Sequence, residues 1–353
     1  MILSASAPES IAACAQRIRA GGLIGLPTET VYGLGADADN ATAVAGIFSA
    51  KGRPADHPLI VHVAAHDGGR AGVAHFAATV PAFAQKLMAA FWPGPLTLIL
   101  PRRHDVAAAA AGGQNSIGLR CPAHPAAQAV LHALQQPQGS DAPVWGIAAP
   151  SANRFGRVSP TTAAHVDSEL GPDLLILDGG ACDLGIESTI IDCTRGVPVL
   201  LRPGSIGRTQ VEAACGCRLL SNEELLAQGA QGLEAKNAPK ASGTLESHYA
   251  PNATVRLMDA KALQTALNLL DGTLPSAKGA APTIAVYART PFKNVPRTVA
   301  LRTMPRDASA AAHELFAALR AFDDQGVKLI WVETPPDTPE WEGVRDRLQR
   351  ASA

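Results

Sequence analysis

The chain has 353 residues, 47% of them apolar and only 17% charged, with a formal net charge of −1. That length favours two domains, with enough apolar residues for real cores. Near-zero net charge excludes a global basic field of the kind that draws nucleic acid, while leaving room for a local basic patch.

Cys14, Cys121, Cys182, Cys193, Cys215 and Cys217 are scattered, with one Cys-x-Cys and no CxxC pair. Such spacing suits neither a zinc ribbon nor a disulfide framework, so free thiols in a reducing cytoplasm are expected. The opening MILSASAPES lacks the basic and apolar regions of a signal peptide. No stretch reaches the ~18 consecutive apolar residues of a membrane span. A soluble, cytoplasmic protein is expected.

In chain order, Pro8-Glu9-Ser10 starts a helix reaching Ala20, stopped by Gly21-Gly22. Leu23, Ile24 and Leu26 mark a buried strand that runs into Pro27-Thr28-Glu29-Thr30. A glycine-spaced turn is expected at Tyr32-Gly33-Leu34-Gly35, then a helix-like segment over Ala43 to Phe48 ending in Lys51-Gly52-Arg53-Pro54. Gly52 and Pro54 mark a loop. Lys51 and Arg53 are therefore expected to project from irregular backbone, not from a helix face. Leu59 to Val63 reads as a short strand interrupted by His62. Strand side chains alternate faces, so His62 is either a satisfied core group or a pocket residue.

Helices are expected over residues 80–91 and 125–134, and strands over 96–100 and 116–122, the second carrying Arg120 to its end. The alanine-rich stretch 105–113 reads as a soft helix or mobile loop, and 135–143 as a polar surface loop. A strand over 144–149 leads into Pro150-Ser151-Ala152-Asn153. Thr161 or Thr162 caps a helix reaching Leu170. Strands follow at 174–178, 188–192 and 199–202, then a helix and short strand within 209–220. The helices are few and irregularly spaced, which favours a mixed α/β domain over 1–220 with a twisted, partly parallel sheet.

Residues 221–252 have the Ala, Gly, Ser, Asn and Lys content of a flexible tether, broken by the aromatic pair of Ser247-His248-Tyr249-Ala250-Pro251. Beyond them, strands at 255–258, 283–287 and 328–332 alternate with helices at 260–270, 308–322 and 341–348. A small doubly wound α/β domain of three or four strands is expected over 253–353. No glycine-rich phosphate loop follows its first strand.

Strands and turns deliver Thr28, Thr30, Lys51, Arg53, His57, His62, Ser116, Arg120, Ser151, Asn153, Ser159, Ser188 and Arg202. Cations interleaved with hydroxyls suit an anionic guest: Arg offers a planar fork to phosphate or carboxylate, Lys a point charge. There is no HExxH, GxSxG or Walker loop, and no paired-carboxylate spacing. A bound phosphate would thus rest on side-chain cations and turn amides. Each residue alone has a plainer reading. Lys51 and Arg53 could be solvated loop cations, His62 a packed histidine, Arg202 a capped loop charge and Ser188 a strand hydroxyl.

The motifs PTETVYGLG, KGRP, HPLIVHV, GLRCP, APSAN, GIESTIID, LRPG and SHYAP stand in this order between residues 27 and 251. Together they resemble the YrdC-like family of threonylcarbamoyl-adenylate synthases, in its two-domain form with a C-terminal Rossmann-like domain. The resemblance implies a nucleotidyltransferase that joins L-threonine, bicarbonate or carbon dioxide, and ATP into threonylcarbamoyl-AMP and pyrophosphate. It implies that the product serves threonylcarbamoyladenosine formation on tRNA beside the anticodon, through a separate transferase complex. Mg²⁺ is implied with ATP, held mostly by phosphates and water. No protein metal site is implied, Glu29 and Glu187 being the nearest carboxylates. A monomer is expected, and direct contact with tRNA stays open.

Carried over position by position, Lys51, Arg53, Ser151 and Asn153 match the signature that holds the nucleotide phosphates. Thr30 and His62 should hold threonine, Arg120 should pair with its carboxylate, and Ser188 should touch the same end. Ala149 could contribute only backbone. His57, Ser116, Ser159 and Arg202 should line the ATP side, with Tyr249 closing over it from a linker that folds back across the site. His57 departs from the family pattern, which has asparagine there. It can still donate a hydrogen bond, but its protonation would matter near neutral pH.

Two other readings compete. A double-stranded-RNA- or tRNA-binding module without turnover would need phosphate contacts but no threonine pocket. An accessory domain of hydrogenase maturation would bring CxxC zinc pairs and an acylphosphatase segment, both missing from the sequence.

Overall fold

The computed structural model describes residues 1–136, 139, 142–227, 238–243, 248–270 and 282–353. Part of the expected 135–143 loop, and positions 228–237 and 244–247 of the expected linker (Ser247 among them), lie outside the described residues. The chain divides into two compact units. The first is Met1–Phe155 with Ser159–Thr244, the second Gly156–Val158 with Leu245–Ala353.

The first unit runs β1 (Ile2–Ser4), α1 (Pro8–Arg19), β2 (Ile24–Leu26), β3 (Gly33–Asp37), α2 (Ala41–Lys51), β4 (Ile60–His62), α3 (Arg70–Phe76) and α4 (Ala82–Phe91). It continues with β5 (Leu96–Pro101), β6 (Ser116–Arg120), α5 (Pro125–Gln135), β7 (Ile147–Ala148), α6 (Ala163–Leu170) and β8 (Leu175–Asp178). β9 (Thr189–Asp192), β10 (Val199–Arg202), α7 (Arg208–Cys215), β11 (Leu220–Ser221) and α8 (Asn222–Ala227) complete it. The strands form one mixed sheet in the order β1-β8-β2-β3-β7-β4-β6-β5-β9-β10-β11.

Local chemistry explains the helix ends. In α1, Pro8 and Glu9 open the first turn, and Arg17 and Arg19 close the last, complementing the helix dipole. Asn40 caps α2 by accepting from the Ala43 amide, and Gly52 ends it with φ +62°. Thr162 caps α6 through the His165 amide. Helices α1 and α5 bury Cys14, Ile18, Val130 and Leu134 with Ile24 and Leu26 of β2. A second cluster joins Val44, Ile47 and Leu87 to Leu34, Leu98 and Leu119 of β3, β5 and β6.

Several expectations need correcting. The glycines at 33 and 35 lie in strand β3, not in a turn. A Cβ at Gly33 would stand 3.0 Å from Ala149 Cβ, and one at Gly35 2.8 Å from Ile147 Cγ2. Glycine is there so that β7 can come close, not to reverse the chain. Lys51 is the last residue of α2, not part of a loop. β7 is two residues long, and residues 105–113 form irregular turns around buried Ala107, Ala110 and Ala111. β1 and α3 were not expected.

The second unit has β12 (Thr254–Met258), α9 (Ala260–Leu270), β13 (Ile284–Ala288), β14 (Val299–Thr303), α10 (Ala308–Asp324), β15 (Leu329–Glu333) and α11 (Glu342–Ala351). Its sheet is wholly parallel, in the order β12-β15-β13-β14. This is the expected small α/β domain. The unforeseen member, β14, is an edge strand that buries Val299 and exposes Leu301, so its apolar signal is weak. The first seven residues of the expected linker carry the end of β11 and all of α8, and 238–243 also belong to the first unit. Among the described residues no helix is long and apolar enough to cross a membrane.

Candidate active site

Sheet register gathers the polar side chains of the first unit. His62 at the end of β4 is the parallel partner of Arg120 at the end of β6. Arg120 also faces Thr97 of β5 across an antiparallel pair. Paired residues point to one face, so these three side chains line one wall.

The Pro27-to-Tyr32 turn closes over that wall. Thr28 Oγ1 accepts from the Thr30 and Val31 amides and donates to the Val31 carbonyl at 2.6 Å, so the turn is held by its own hydroxyl. It aims Thr30 at Arg120, whose Nη1 donates to Thr30 Oγ1 at 2.8 Å. Arg120 Nε donates to the Gly94 carbonyl, and Nη2 lies 2.6 Å from Glu29 Oε1. Glu29 and Arg120 are both buried. Burial pushes the Glu29 carboxyl upward, but the Arg120 charge and nearby amides outweigh it and hold it below the usual value. His62 is pushed down to about 3 by burial, then by Arg120, so its imidazole is neutral at pH 7.

A second cluster surrounds the end of α2. Lys51 Nζ donates to the Ser151 carbonyl at 2.5 Å and to the Asn153 carbonyl, and the Phe155 amide donates to the Lys51 carbonyl at 2.8 Å. Burial, then the neighbouring Arg53 charge, drives the Lys51 ammonium well below its ordinary pKa. Arg53 Nη2 donates to the Pro58 carbonyl and to Ser242 Oγ, and its guanidinium lies 6.0 Å over the Phe155 ring. His57 meets the same ring edge-to-face at 5.5 Å. Burial and the Arg53 charge lower the His57 pKa.

Ser188 links the two clusters. Its hydroxyl lies 2.8 Å from Thr97 Oγ1. Arg202 Nε and Nη2 both donate to its carbonyl, at 3.1 and 3.0 Å, and Nη2 reaches its hydroxyl. Arg202 Nη1 donates to the Ser242 carbonyl at 2.9 Å, so Arg53 and Arg202 flank Ser242. Residues 240–242 thus lie along the cationic wall, with Lys240 paired to Asp56 at 2.7 Å. Beside them a cavity of about 510 Å³ is lined by Pro101, Gln114, Asn115, Ser116, Thr194 and Lys240.

The other expected residues are placed as follows. Asn153 is buried and its Nδ2 donates to the Arg154 carbonyl. Ser159 Oγ donates to Glu187 Oε1 at 2.5 Å. Ala149 gives its amide to the Ile60 carbonyl at 2.9 Å. Tyr249 belongs to the second unit. There it is buried with φ +63°, its ring tilted by 30° against Phe316 at 5.4 Å and under the Arg347 guanidinium at 5.5 Å. Thr97, Phe155 and Ser242 were not foreseen. Only register or loop path brings them in, and nothing in their local sequence signals it. Glu29 entered the sequence reading only as a carboxylate near the implied nucleotide, although it stands between Thr28 and Thr30.

A buried polar cluster of Thr30, His62, Thr97 and Arg120, joined through Ser188 to the guanidiniums of Arg202 and Arg53, offers groups that suit a small zwitterion beside groups that suit a polyanion. Comparison with known proteins agrees with that class. Residues 16–204 match the family model described as "Telomere recombination", and 206–353 the one described as "Threonylcarbamoyl-AMP synthase, C-terminal domain". The threonylcarbamoyl-AMP synthase of Bacillus subtilis is 36% identical over 99% of this chain and 94% of its own length. That of Pyrococcus abyssi is 35% identical over 95% and 92%. The crystal structure of P. abyssi Sua5 complexed with L-threonine superposes with a TM-score of 0.81 at 34% identity, covering all of this chain and 97% of the other. The chain belongs to the threonylcarbamoyl-AMP synthase family, as a two-domain member, and is an enzyme of that type.

Proposed function

We propose that the protein condenses L-threonine, bicarbonate or carbon dioxide, and ATP into threonylcarbamoyl-AMP, releasing pyrophosphate. Its product would feed threonylcarbamoyladenosine formation on tRNA next to the anticodon, through a separate transferase complex. The observation that carries this is the Arg120–Thr97–Ser188–Arg202 run. It sets the buried polar groups around Arg120 directly against the cations Arg202 and Arg53. Threonine complexed in the Pyrococcus relative supports the amino acid.

In this reading Thr30, His62, Arg120, Ser188 and the Ala149 backbone surround threonine. Arg53, His57, Ser116, Ser151, Asn153, Ser159 and Arg202 surround ATP. Tyr249 and the linker over 221–252 close the nucleotide side. Lys51 acts on the phosphates or through the carbonyls of the 151–153 segment that it holds. Threonine's amine captures carbon dioxide, and the resulting N-carboxylate attacks the α-phosphorus in line as pyrophosphate departs. No covalent enzyme intermediate is needed. Catalysis consists of placing three reactants and neutralising charge.

Mg²⁺ would arrive on ATP. Among the described residues no three metal-ligating side chains cluster, and Glu29 and Glu187 are engaged by Arg120 and Ser159. A cytoplasmic monomer is proposed.

The test is pyrophosphate release from purified protein with ATP, L-threonine, bicarbonate and Mg²⁺, with serine as a control and Arg53→Ala alongside. Threonine- and bicarbonate-dependent release that the variant lacks supports the synthase. No release, with salt-sensitive RNA binding instead, would replace it with the binding-only reading.

A further inference from the structure

Three buried polar groups meet at the end of β4 and β6 with unused capacity. Glu29, Arg120 and His62 are 6%, 4% and 3% exposed. Glu29 Oε1 and Arg120 Nη2 form an ion pair at 2.6 Å. Neither Glu29 oxygen, nor Arg120 Nη2, nor His62 Nδ1 makes a well-aligned hydrogen bond among the described residues, although the Glu29 and Ala123 amides approach the carboxylate. Native structures rarely leave buried polar atoms poorly satisfied, and this concentration of them marks a place able to take up a polar ligand. Their chemistry specifies it. A carboxylate wants a cationic donor, a guanidinium an anionic acceptor, and a neutral imidazole nitrogen either a donor or an acceptor.

We propose that Glu29 receives the ammonium group of the amino-acid substrate, which enters as a zwitterion and opens the Glu29–Arg120 pair. Its carboxylate takes Arg120, its ammonium takes Glu29, and its side-chain hydroxyl falls to His62 Nδ1. One buried ion pair is replaced by two, and the pocket stays neutral throughout. That neutrality is the selection rule. A ligand with only the carboxylate would strip Arg120 from Glu29 and leave a buried carboxylate unpaired, which is strongly penalised. A ligand with only the ammonium would strand Arg120 in the same way. The paired charges of Glu29 and Arg120 are arranged as the complement of an α-amino acid.

This rests on the proposed threonine-dependent reaction and assigns Glu29 a substrate-touching role within it. Calorimetric titration of the full chain, without ATP, tests it using L-threonine, N-acetyl-L-threonine and L-threoninamide. Wild type should prefer threonine over either analogue by on the order of tenfold or more. In Glu29→Gln the preference over N-acetyl-L-threonine should collapse toward unity, while Glu29→Asp keeps part of it. Equal binding of threonine and N-acetyl-L-threonine by wild type overturns the proposal, and this comparison stands even if both variants fail to fold. Full discrimination retained in Glu29→Gln overturns it too. Either result with threonine-dependent pyrophosphate release intact removes only the role of Glu29. No threonine binding and no release would remove the parent reading along with it.

Discussion

Lys51 Nζ donates to the Ser151 carbonyl at 2.5 Å, across 100 residues of sequence, and to the Asn153 carbonyl beside it. With the Phe155 amide on the Lys51 carbonyl, this ties the end of α2 to the whole 151–155 segment. Lys51→Met keeps the buried stem but leaves two carbonyls without this donor. An orphaned buried acceptor costs about 1–3 kcal/mol. Urea denaturation should show a loss of that order, accompanied by loss of pyrophosphate release. A variant as stable as wild type would show that the ammonium does not hold the segment.

Acid sensitivity should trace to His62. Its folded pKa of about 3 lies below the ordinary 6.5, so between those values the unfolded chain binds a proton that the folded one refuses. Stability therefore falls as pH drops from 6.5 toward 3. Glu29 acts in the same direction, its depressed carboxyl contributing stability that is lost in acid. At pH 5 the His62 share is up to ~2 kcal/mol. Denaturant midpoints at pH 7 and pH 5 should converge in His62→Gln relative to wild type. An unchanged gap would refute the assignment.

Arg202 makes a forked contact with the Ser188 carbonyl that a lysine point charge cannot copy. Arg202→Lys should therefore not rescue Arg202→Ala. Both should lower kcat/KM for pyrophosphate release by the equivalent of roughly 2.7–4 kcal/mol, as for loss of one preorganised donor. Near-normal turnover in the lysine variant would mean that charge alone suffices.

Gly204 packs its Cα against the start of β9 and against Ser188, the residue that precedes that strand. A Cβ there would lie 2.5 Å from the Thr189 amide nitrogen and 2.8 Å from the Ser188 carbonyl carbon. Backbone cannot yield cheaply, so Gly204→Ala should displace Ser188, destabilise the fold by about 1–3 kcal/mol and weaken threonine binding. Unaltered calorimetric affinity for threonine would count against this.

The thiols should be inert. Cys14, Cys121, Cys182, Cys193 and Cys215 are buried and Cys217 is half-buried. Burial raises Cys14 to about 11 and Cys121 to about 12. Iodoacetamide at neutral pH should modify Cys217 at most in the native protein, and all six cysteines only in denaturant, as counted by mass spectrometry. Rapid native labelling of Cys121 would contradict the packing.

Much was legible in the chain before folding. Helix starts followed from local chemistry at Pro8 and Thr162, while the Asn40 cap of α2 was not read from the sequence. Apolar runs marked most strands, because a strand inside a mixed sheet is apolar on both faces. The edge strand β14 escaped notice, since of its residues only Val299 is buried. Gly33 and Gly35 were misread as a turn because glycine marks both φ freedom and close approach, and only the partner strand β7 shows which applies.

The ordered motifs by themselves determined the family, the two-domain plan and the candidate residues. Residue type and spacing are properties of the chain, and eight matched segments leave little freedom. What only tertiary structure decided is which groups already hold one another. Lys51 holds the 151–153 carbonyls, Arg202 holds Ser188, and Glu29 opposes Arg120. These pairings join residues that are distant in sequence, and their strength comes from burial, which excludes water and makes each charge depend on its neighbour. No local pattern encodes that dependence. It appears when β4, β5, β6 and β9 come into register and close the pocket.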